Sequence, residues 1–562
     1  MSSQGNSIRF WLQKQFQTSG IQTESSALKF LASNLEEMSN TSDPEQILGL
    51  LLDDIETRTD DRKLTVEFVK EFLDRCQGGT NGSVEVVDAF SIPLIQYDPI
   101  RHMFYQNSQK GRKVIGDVKN KFQLYEDRFM LIQQRLKRNA MFRPSKWSSL
   151  GNQNDAQSAE LTELKALLGH ERQRRFVCGF LTRHDQGQYF IEDLSARLPI
   201  DLTGCDTADG LFTENCVVVA EGELQPSGEF RAMALGLPPA ESRDESIDAL
   251  QGHDMFGACS KRVDEHSTEE DDGDRIIFLS DVHLDAPQNL ENLAKVFDGY
   301  SSMPKPPSAF VLLGNFQTYD ANGPHSSLSK LKENFTSLGR LLKRYPSLIE
   351  SSEIILVPGP QDIGTGNSLP RPGIPAPLVE GLKEIVPNVI LASNPCRIRF
   401  RGSDIVVFRA DIQQKLRGLC ILPPPMPPQQ TQDTSAEHAS FFFDQTCSTV
   451  IQESHLCPVP LEYQPITWEY DHSLYVYPNP HGLLLADSEP AARSIFDTCD
   501  CLNPGSLSTG TFGAWNPSSR EMEMCDVNID EEDEEEPQQD NEEDEDDILI
   551  MSDDKDGDQM PA

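Results

Sequence analysis

The sequence predicts a multidomain α/β chain: an N-terminal helical bundle, a small β-barrel, a layered α/β sandwich and an acidic C-terminal tail. Three observations carry this. The 562 residues, 37% of them hydrophobic, are too many for one core. Apolar residues keep helical spacing to about residue 76, take strand spacing from about 174, and alternate between strands and helices beyond 275. The formal net charge is −41, of which −18 falls between 526 and 562, where 19 Asp or Glu accompany one Lys, leaving −23 for the first 525 residues.

The first element, residues 1–76, reads as four short amphipathic helices. Ile8, Trp11, Leu12 and Phe16 share a face, as do Leu28, Leu31 and Leu35, then Ile47, Leu51 and Ile55, then Leu64, Phe68 and Phe72. Asp43-Pro44-Glu45 is a helix start, with Asp as cap and Pro in the first turn. The run GGTNGS at 78–83 opens a linker and connecting region, 77–165. Within it a longer helix is expected over 122–142, with Tyr125, Phe129, Ile132 and Leu136 as an apolar packing stripe and Arg135, Lys137 and Arg138 at its end.

Over 166–237 short strands such as RFVCGFLTR and NCVVVAEGEL are separated by turns such as Asp185-Gln186-Gly187, which predicts a barrel of the OB type. OB barrels often bind single strands in a basic, aromatic groove. Here Glu192, Asp193, Asp201, Glu221 and Glu223 make the strands acidic, so a structural barrel is expected. The acidic surface likewise excludes a protein that grips nucleic acid over its whole face, since phosphate binding depends on Lys and Arg. DNA contact is expected to be weak, or made through a partner.

Residues 238–274, rich in Asp, Glu, Ser and Gly, read as a solvated acidic linker. The sandwich is assigned to 275–520: RIIFLS, SAFVLLG, EIILVPG, NVILAS and DIVVFRA are continuous apolar strands, with Leu331, Phe335, Leu338 and Leu342 on the core face of an intervening helix. The remainder, 521–562, reads as a disordered acidic tail. In it Ile548, Leu549 and Ile550 lie between acids, a segment able to add as a strand to a partner sheet, and Ser552 precedes two aspartates. The 12 cysteines are scattered, with Cys499-Asp500-Cys501 the one close pair and no CxxC, which argues against a structural zinc site. Without a signal-like N-terminus or an apolar run near 18 residues, a reduced, soluble, intracellular protein with no membrane contact is expected.

Ligands of such sheets gather where the strands end. The successive strand ends are Ser280-Asp281-Val282-His283, Gly314-Asn315-Phe316 and Gly359-Pro360-Gln361-Asp362. Their order resembles the calcineurin-like metallophosphoesterases, whose motifs run Asp-x-His, Gly-Asp, Gly-Asn-His with a following acid, a lone His and Gly-His-x-His. In that family the Asp of the second motif bridges two cations that clamp a phosphate and ionise water. Here that position is the neutral Asn315, while Pro360 and Gln361 stand where the third motif has its Asn and His. The closing motif is absent, its nearest stretch being Asn479-Pro480-His481-Gly482, and His455 and His472 lie in no recognisable motif. The site is therefore expected to be degenerate, with Asp281, His283, Asn315, Pro360, Gln361 and Asp362 as remnants. Asp281 is expected to cap its loop backbone, and no catalytic residue, metal or cofactor is assigned.

The combination resembles the B subunit family of replicative DNA polymerases, accessory subunits built on such a disabled phosphoesterase, and within it the epsilon branch. The resemblance rests on DAFSIP (88–93), YEDRFMLIQQRLKRNAMF (125–142), FIEDLSARLPIDL (190–202), GLFTENCVVVAEGEL (210–224), IIFLSDVHLD (276–285), FRADIQQKLRGLC (408–420), HLCPVP (455–460) and CLNPGS (501–506). It implies a nuclear, non-catalytic subunit acting in DNA replication. Its implied partners are the cysteine-rich C-terminal domain of the polymerase's catalytic subunit, the small histone-fold subunits of the complex, and the replicative helicase, reached from residues 1–76 through the GINS complex. The rival readings are a residual metal-dependent phosphoesterase or nuclease, and a B subunit of the alpha or delta branch.

Overall fold

The computed structural model describes residues 84–107, 115–142, 160–184, 187–258, 274–318, 328–364, 366–425 and 435–527, with Lys113 and scattered positions before 84. Among those early positions Leu12, Phe16, Leu28, Leu31, Leu51, Ile55, Leu64 and Val69 meet in one buried cluster. Gln22–Thr23 pairs in parallel with Lys63–Leu64. Ile8, Trp11, Leu35, Ile47, Phe68 and Phe72 of the expected stripes lie outside the described residues, as do Ile548, Leu549, Ile550 and the rest of the chain beyond Val527.

Glu85–Asp88 (β1) precedes a hairpin at 95–106 and the long helix Val118–Arg138 (α1). The barrel follows, from Arg174–Arg183 (β2), Tyr189–Glu192 (β3), Arg197–Asp201 (β4), Val217–Leu224 (β5) and Phe230–Gly236 (β6). The ring closes in the order β2-β3-β4-β6-β5 and back to β2, with β4 and β6 the parallel pair. This is OB connectivity. Alternate residues fill the interior, among them Leu181, Ile191, Ile200, Val218, Ala220 and Phe230.

Two six-stranded sheets build the sandwich. The first, in the order β10-β9-β8-β7-β16-β17, consists of Val389–Leu391, Glu353–Val357, Ala309–Leu313, Ile276–Leu279, Thr511–Asn516 and Glu521–Asp526. The second, β14-β15-β13-β12-β11-β1, takes Ala492–Phe496, Cys499–Asn503, Gly482–Ala486, Ser403–Arg409, Cys396–Phe400 and β1. Because successive strand residues point to opposite faces, Ile276, Phe278, Val311 and Ile355 meet Ile398, Ile405, Val407 and Leu484 between the sheets. Ile277, Leu279, Phe310 and Leu356 turn outward onto helices Pro287–Ser301 (α3) and Leu328–Leu342 (α4). On the far side Val406, Phe408 and Leu485 pack against Ile412–Leu419 (α5) and Ser435–Gln452 (α6). The result is four layers, helix, sheet, sheet, helix, with both sheets covered as their continuous apolar strands require.

Three boundaries differ from the sequence reading. The expected acidic linker 238–274 is folded over 238–258. It contains helix Arg243–Leu250 (α2), and Met255 and Phe256 are buried. The reason lies in β11, whose Arg397 and Arg399 face out of the sheet and are nearly inaccessible. The segment supplies what those charges need: the Met255 carbonyl accepts from Arg397, Asp254 accepts from Arg399 at 3.0 Å, and the Phe256 ring lies 5.5 and 5.1 Å from the two guanidinium carbons. The expected linker 77–165 contributes β1, antiparallel to β11 at the sheet edge. The expected tail begins with β17, whose Met522 is buried between the sheets.

Helix α1 lies between barrel and sandwich. Phe129, Ile132 and Leu136 pack on the barrel against Cys178 and Val217, and Leu131 packs with Tyr475 and Tyr477. Its buried arginines reach the sandwich, Arg128 onto Asp471 and Arg135 onto the carbonyls of Pro238 and Gln452. A second attachment comes from α6. Gln445 and Thr449, with Glu453 one residue past the helix end, recur every four residues on one side, and accept from Gly210 N (2.6 Å), Leu211 N (2.8 Å) and Val217 N (3.1 Å) of the barrel.

Burial pushes the Glu453 carboxyl up to about 8, against the opposing pull of the Val217 N–H and of Arg135. The unfolded chain releases this proton near 4.5, so the folded state holds it alone between those values. The contribution of Glu453 to stability is therefore expected to fall as pH rises from about 4.5 to about 8, opposite in sign to any group whose folded value is depressed. Glu453→Gln, which keeps an acceptor for Val217, should remove that part of the slope. Urea unfolding midpoints at pH 6 and 8.5 read it directly, and an equal slope in both proteins refutes it.

Candidate functional site

The strand ends meet where the two sheets face each other, and Arg409, the last residue of β12, stands at the centre. It is 1% exposed. Its Nη2 donates to Asp281 Oδ1 at 2.7 Å and its Nη1 to Asp411 Oδ1 at 2.8 Å. Its Nε donates to the Gly314 carbonyl at 3.0 Å, and Nη1 lies 3.4 Å from the Ala486 carbonyl. Burial opposes the guanidinium charge, but Asp281 and Asp411 more than offset it and hold the group protonated. In return, and against its own burial, Arg409 keeps Asp411 ionised below the usual carboxylate range.

Asp281 does not cap its loop as expected: its carboxylate is engaged by Arg409, while its carbonyl accepts from Asn289 Nδ2 at 2.8 Å. Its φ of +53° is left-handed, a conformation Asp tolerates better than most residues. His283 is half-buried, its N–H donating to the Asp281 carbonyl at 2.8 Å. The Asn315 side-chain oxygen accepts from Gln361 N at 2.8 Å, tying the second strand end to the third. The Pro360 carbonyl takes Arg371 Nη1 at 3.0 Å.

Asp362 fastens the same two loops, accepting from Phe316 N and Gly359 N, each at 2.8 Å. Burial pushes its carboxyl up to about 6, the two N–H groups pulling the other way. The loops approach so closely that a Cβ on Gly314 would stand 1.8 Å from Asp362 Oδ2, and one on Gly359 2.6 Å from Asn315 Oδ1. Both positions therefore require glycine.

The six strand-end residues thus come together in one hydrogen-bonded cluster. The two-metal arrangement that the phosphoesterase resemblance implies does not fit them. Asn315 carries no charge to bridge cations, Pro360 has no side-chain ligand atom, and a guanidinium is already lodged on Asp281. Among the described residues no three His, Cys, Asp or Glu side chains are grouped to hold an ion. His455 is buried on Asp471 at 3.3 Å and accepts from Cys457 N, His472 lies 3.1 Å from the Ile92 carbonyl, and His481 accepts from Asp404 N at 2.9 Å. Cys499 and Cys501 are buried with their sulfurs 4.0 Å apart. Among the described residues no helix is long and apolar enough to cross a membrane.

Arg409 and Asp411 were missed by the sequence reading. The available signal was an arginine closing the otherwise apolar strand IVVFR, followed two residues later by an acid.

Two family profiles match the chain: that of the B subunit of DNA polymerases alpha and epsilon over residues 276–493, and the OB-fold domain of DNA polymerase epsilon subunit 2-like proteins over 118–239. The second match takes in α1 with the barrel, consistent with the packing between them. The B subunit of DNA polymerase epsilon from Arabidopsis thaliana is 34% identical, over 91% of this chain and 98% of that protein. DNA polymerase epsilon subunit 2 of Mus musculus is 30% identical over 90% and 96%, and the corresponding B subunit of Schizosaccharomyces pombe is 30% identical over 76% and 74%. Similarity of that extent, spanning barrel and sandwich alike, makes this chain a member of the DNA polymerase epsilon B subunit family.

Proposed function

We propose that the chain is the accessory B subunit of a DNA polymerase epsilon, a scaffold with no chemistry of its own. The observation that carries this is similarity at 34% identity over 98% of a protein named as that subunit. The strand-end cluster supports the non-catalytic part, since its side-chain oxygens are spent accepting hydrogen bonds from loop N–H groups and from Arg409. In this reading barrel and sandwich together hold the cysteine-rich C-terminal domain of the catalytic subunit, beside the small histone-fold subunits. Residues 1–76 reach the replicative helicase through GINS, and the protein works in the nucleus. A charge of −41 suits protein contacts better than phosphate contacts, so DNA is met weakly or through partners.

The test is purification of the tagged full chain from its own cells. A large polymerase chain with a cysteine-rich C-terminal domain is expected to copurify, and the preparation should hydrolyse bis-p-nitrophenyl phosphate with manganese no faster than its Asp281→Ala variant. Recovery of a monomer that ignores that domain, or manganese-stimulated hydrolysis lost in Asp281→Ala, overturns the reading.

A further inference from the structure

We propose that Arg409 is the resident cation of the strand-end cluster: its guanidinium plugs a latent all-oxygen site that binds a divalent cation when this side chain is removed. This rests on the reading that the cluster is non-catalytic, and goes beyond it by assigning what fills the place of the ion.

The geometry carries the proposal. Four oxygens from four different segments converge on one guanidinium, Asp281 Oδ1, Asp411 Oδ1 and the carbonyls of Gly314 and Ala486, at 2.7, 2.8, 3.0 and 3.4 Å from its nitrogens. Two carboxylates with two neutral carbonyls are the ligand set of a hard cation such as Mn²⁺ or Ca²⁺. The site needs positive charge whatever supplies it, because the buried Asp281 and the part-buried Asp411 without a cation repel each other, and Asp281 lacks the solvation that would sustain its charge. Arginine supplies it covalently, as a planar fork that stays ionised at any physiological pH. The wild-type protein therefore carries at this point a cation that no chelator can extract.

Asp281 and Arg409 make separable contributions. Removing Arg409 leaves a doubly negative oxygen cage, which a metal ion can fill. Removing Arg409 together with the Asp281 charge leaves a single carboxylate, with less need of a cation and less affinity for one.

Thermal unfolding of the full chain, in EDTA and in manganese chloride, is the test. The wild type is expected to melt at the same temperature in both, and so is Arg409→Lys, which keeps the charge. Arg409→Ala should melt lower than wild type in EDTA and recover by a few degrees, about 3 °C, in manganese, the size of shift expected when an ion binds only the folded state. Asp281→Asn with Arg409→Ala should melt above Arg409→Ala in EDTA and respond little to manganese. An Arg409→Ala chain that folds only when manganese is in the refolding buffer supports the proposal equally. A folded Arg409→Ala chain indifferent to manganese overturns it, as does one that fails to fold with and without the ion, or a double variant that responds as strongly as the single. Hydrolysis by the wild-type protein would instead overturn the functional reading and leave this cation response a separate result.

Discussion

Asp404→Ala is expected to prevent the chain from accumulating in folded form. Asp404 is fully buried, and its two carboxylate oxygens hold Arg399 Nε at 2.7 Å and Arg243 Nη2 at 2.6 Å. Both guanidinium groups are themselves almost inaccessible. Leaving a buried charge without its partner costs about 3–5 kcal/mol. Two arginines would be stranded at once, against a net stability of about 5–15 kcal/mol for a typical domain. Arg399 keeps Asp254 at 3.0 Å and Arg243 keeps the Asn479 carbonyl, which reduces the loss but does not cancel it. Asp404→Asn, which retains the shape and one acceptor, should fall between. Soluble yield and thermal midpoint measure the series, and an Asp404→Ala protein melting within about 2 °C of wild type would refute it, since about 1 kcal/mol already moves the midpoint of a domain this size by 2–4 °C.

The second large effect is expected at Arg128, on the helix between barrel and sandwich. Its fork closes on both oxygens of Asp471, with Nε to Oδ2 at 2.9 Å, and His455 lies on the same carboxylate. Arg128→Ala should lower stability by about 3–5 kcal/mol, because Asp471 would lose its charge partner in a closed space. Arg128→Lys should recover only part, since an ammonium cannot close the same fork. The network also fixes an acid response. Burial, with Arg128 adding to it, lowers the His455 imidazole to about 4 from its ordinary 6.5, so the unfolded chain takes up a proton that the folded chain refuses between those values. Asp471 moves the same way from 3.8: burial opposes its ionisation, but Arg128 and His455 prevail and hold it well below the usual carboxylate range. A depressed group contributes stability above its unfolded value and loses it as pH falls toward the folded one. Acid unfolding should therefore steepen below pH 6.5, and His455→Gln should flatten the part above pH 4. A guanidinium chloride titration at pH 7 and pH 5 checks both, and an unchanged pH 5 deficit in the variant would refute the assignment to His455.

What could be read from sequence was whatever depends on local period and on glycine. The strand ends after Leu279, Leu313 and Val357 were legible because each apolar run stops at a small or polar residue, and Gly314 and Gly359 mark the close approach there. The barrel was legible from its turns. Arg397 and Arg399 were not, because an Arg-x-Arg strand normally signals a solvated face; only the packing of 254–256 over it reveals a buried one. For the same reason the acids of 238–258 resembled a linker, although Glu241 binds Arg138 and the Tyr477 hydroxyl. The helix Ser435–Gln452 escaped because its Thr446, Ser448 and Thr449 lower helix propensity. Two of those hydroxyls bond back to the carbonyl four residues earlier, as Thr446 does to Phe442 and Thr449 to Gln445. The pairing of Asp281 with Arg409 spans 128 residues, and no periodicity reports a contact of that separation.

On the non-catalytic reading proposed above, Arg409 also bears on what it would take to build a metal site at these strand ends. Restoring the bridging acid at Asn315 alone would bring a further negative group toward loops whose Arg409 is already committed to Asp281 and Asp411. Deleting Arg409 alone would strip the balance from Asp281 and Asp411. Pro360 and Gln361 would still withhold two ligands in either case. Each first step costs stability before any ligand set is complete: the side chain that balances Asp281 and Asp411 also occupies the place a cation would need.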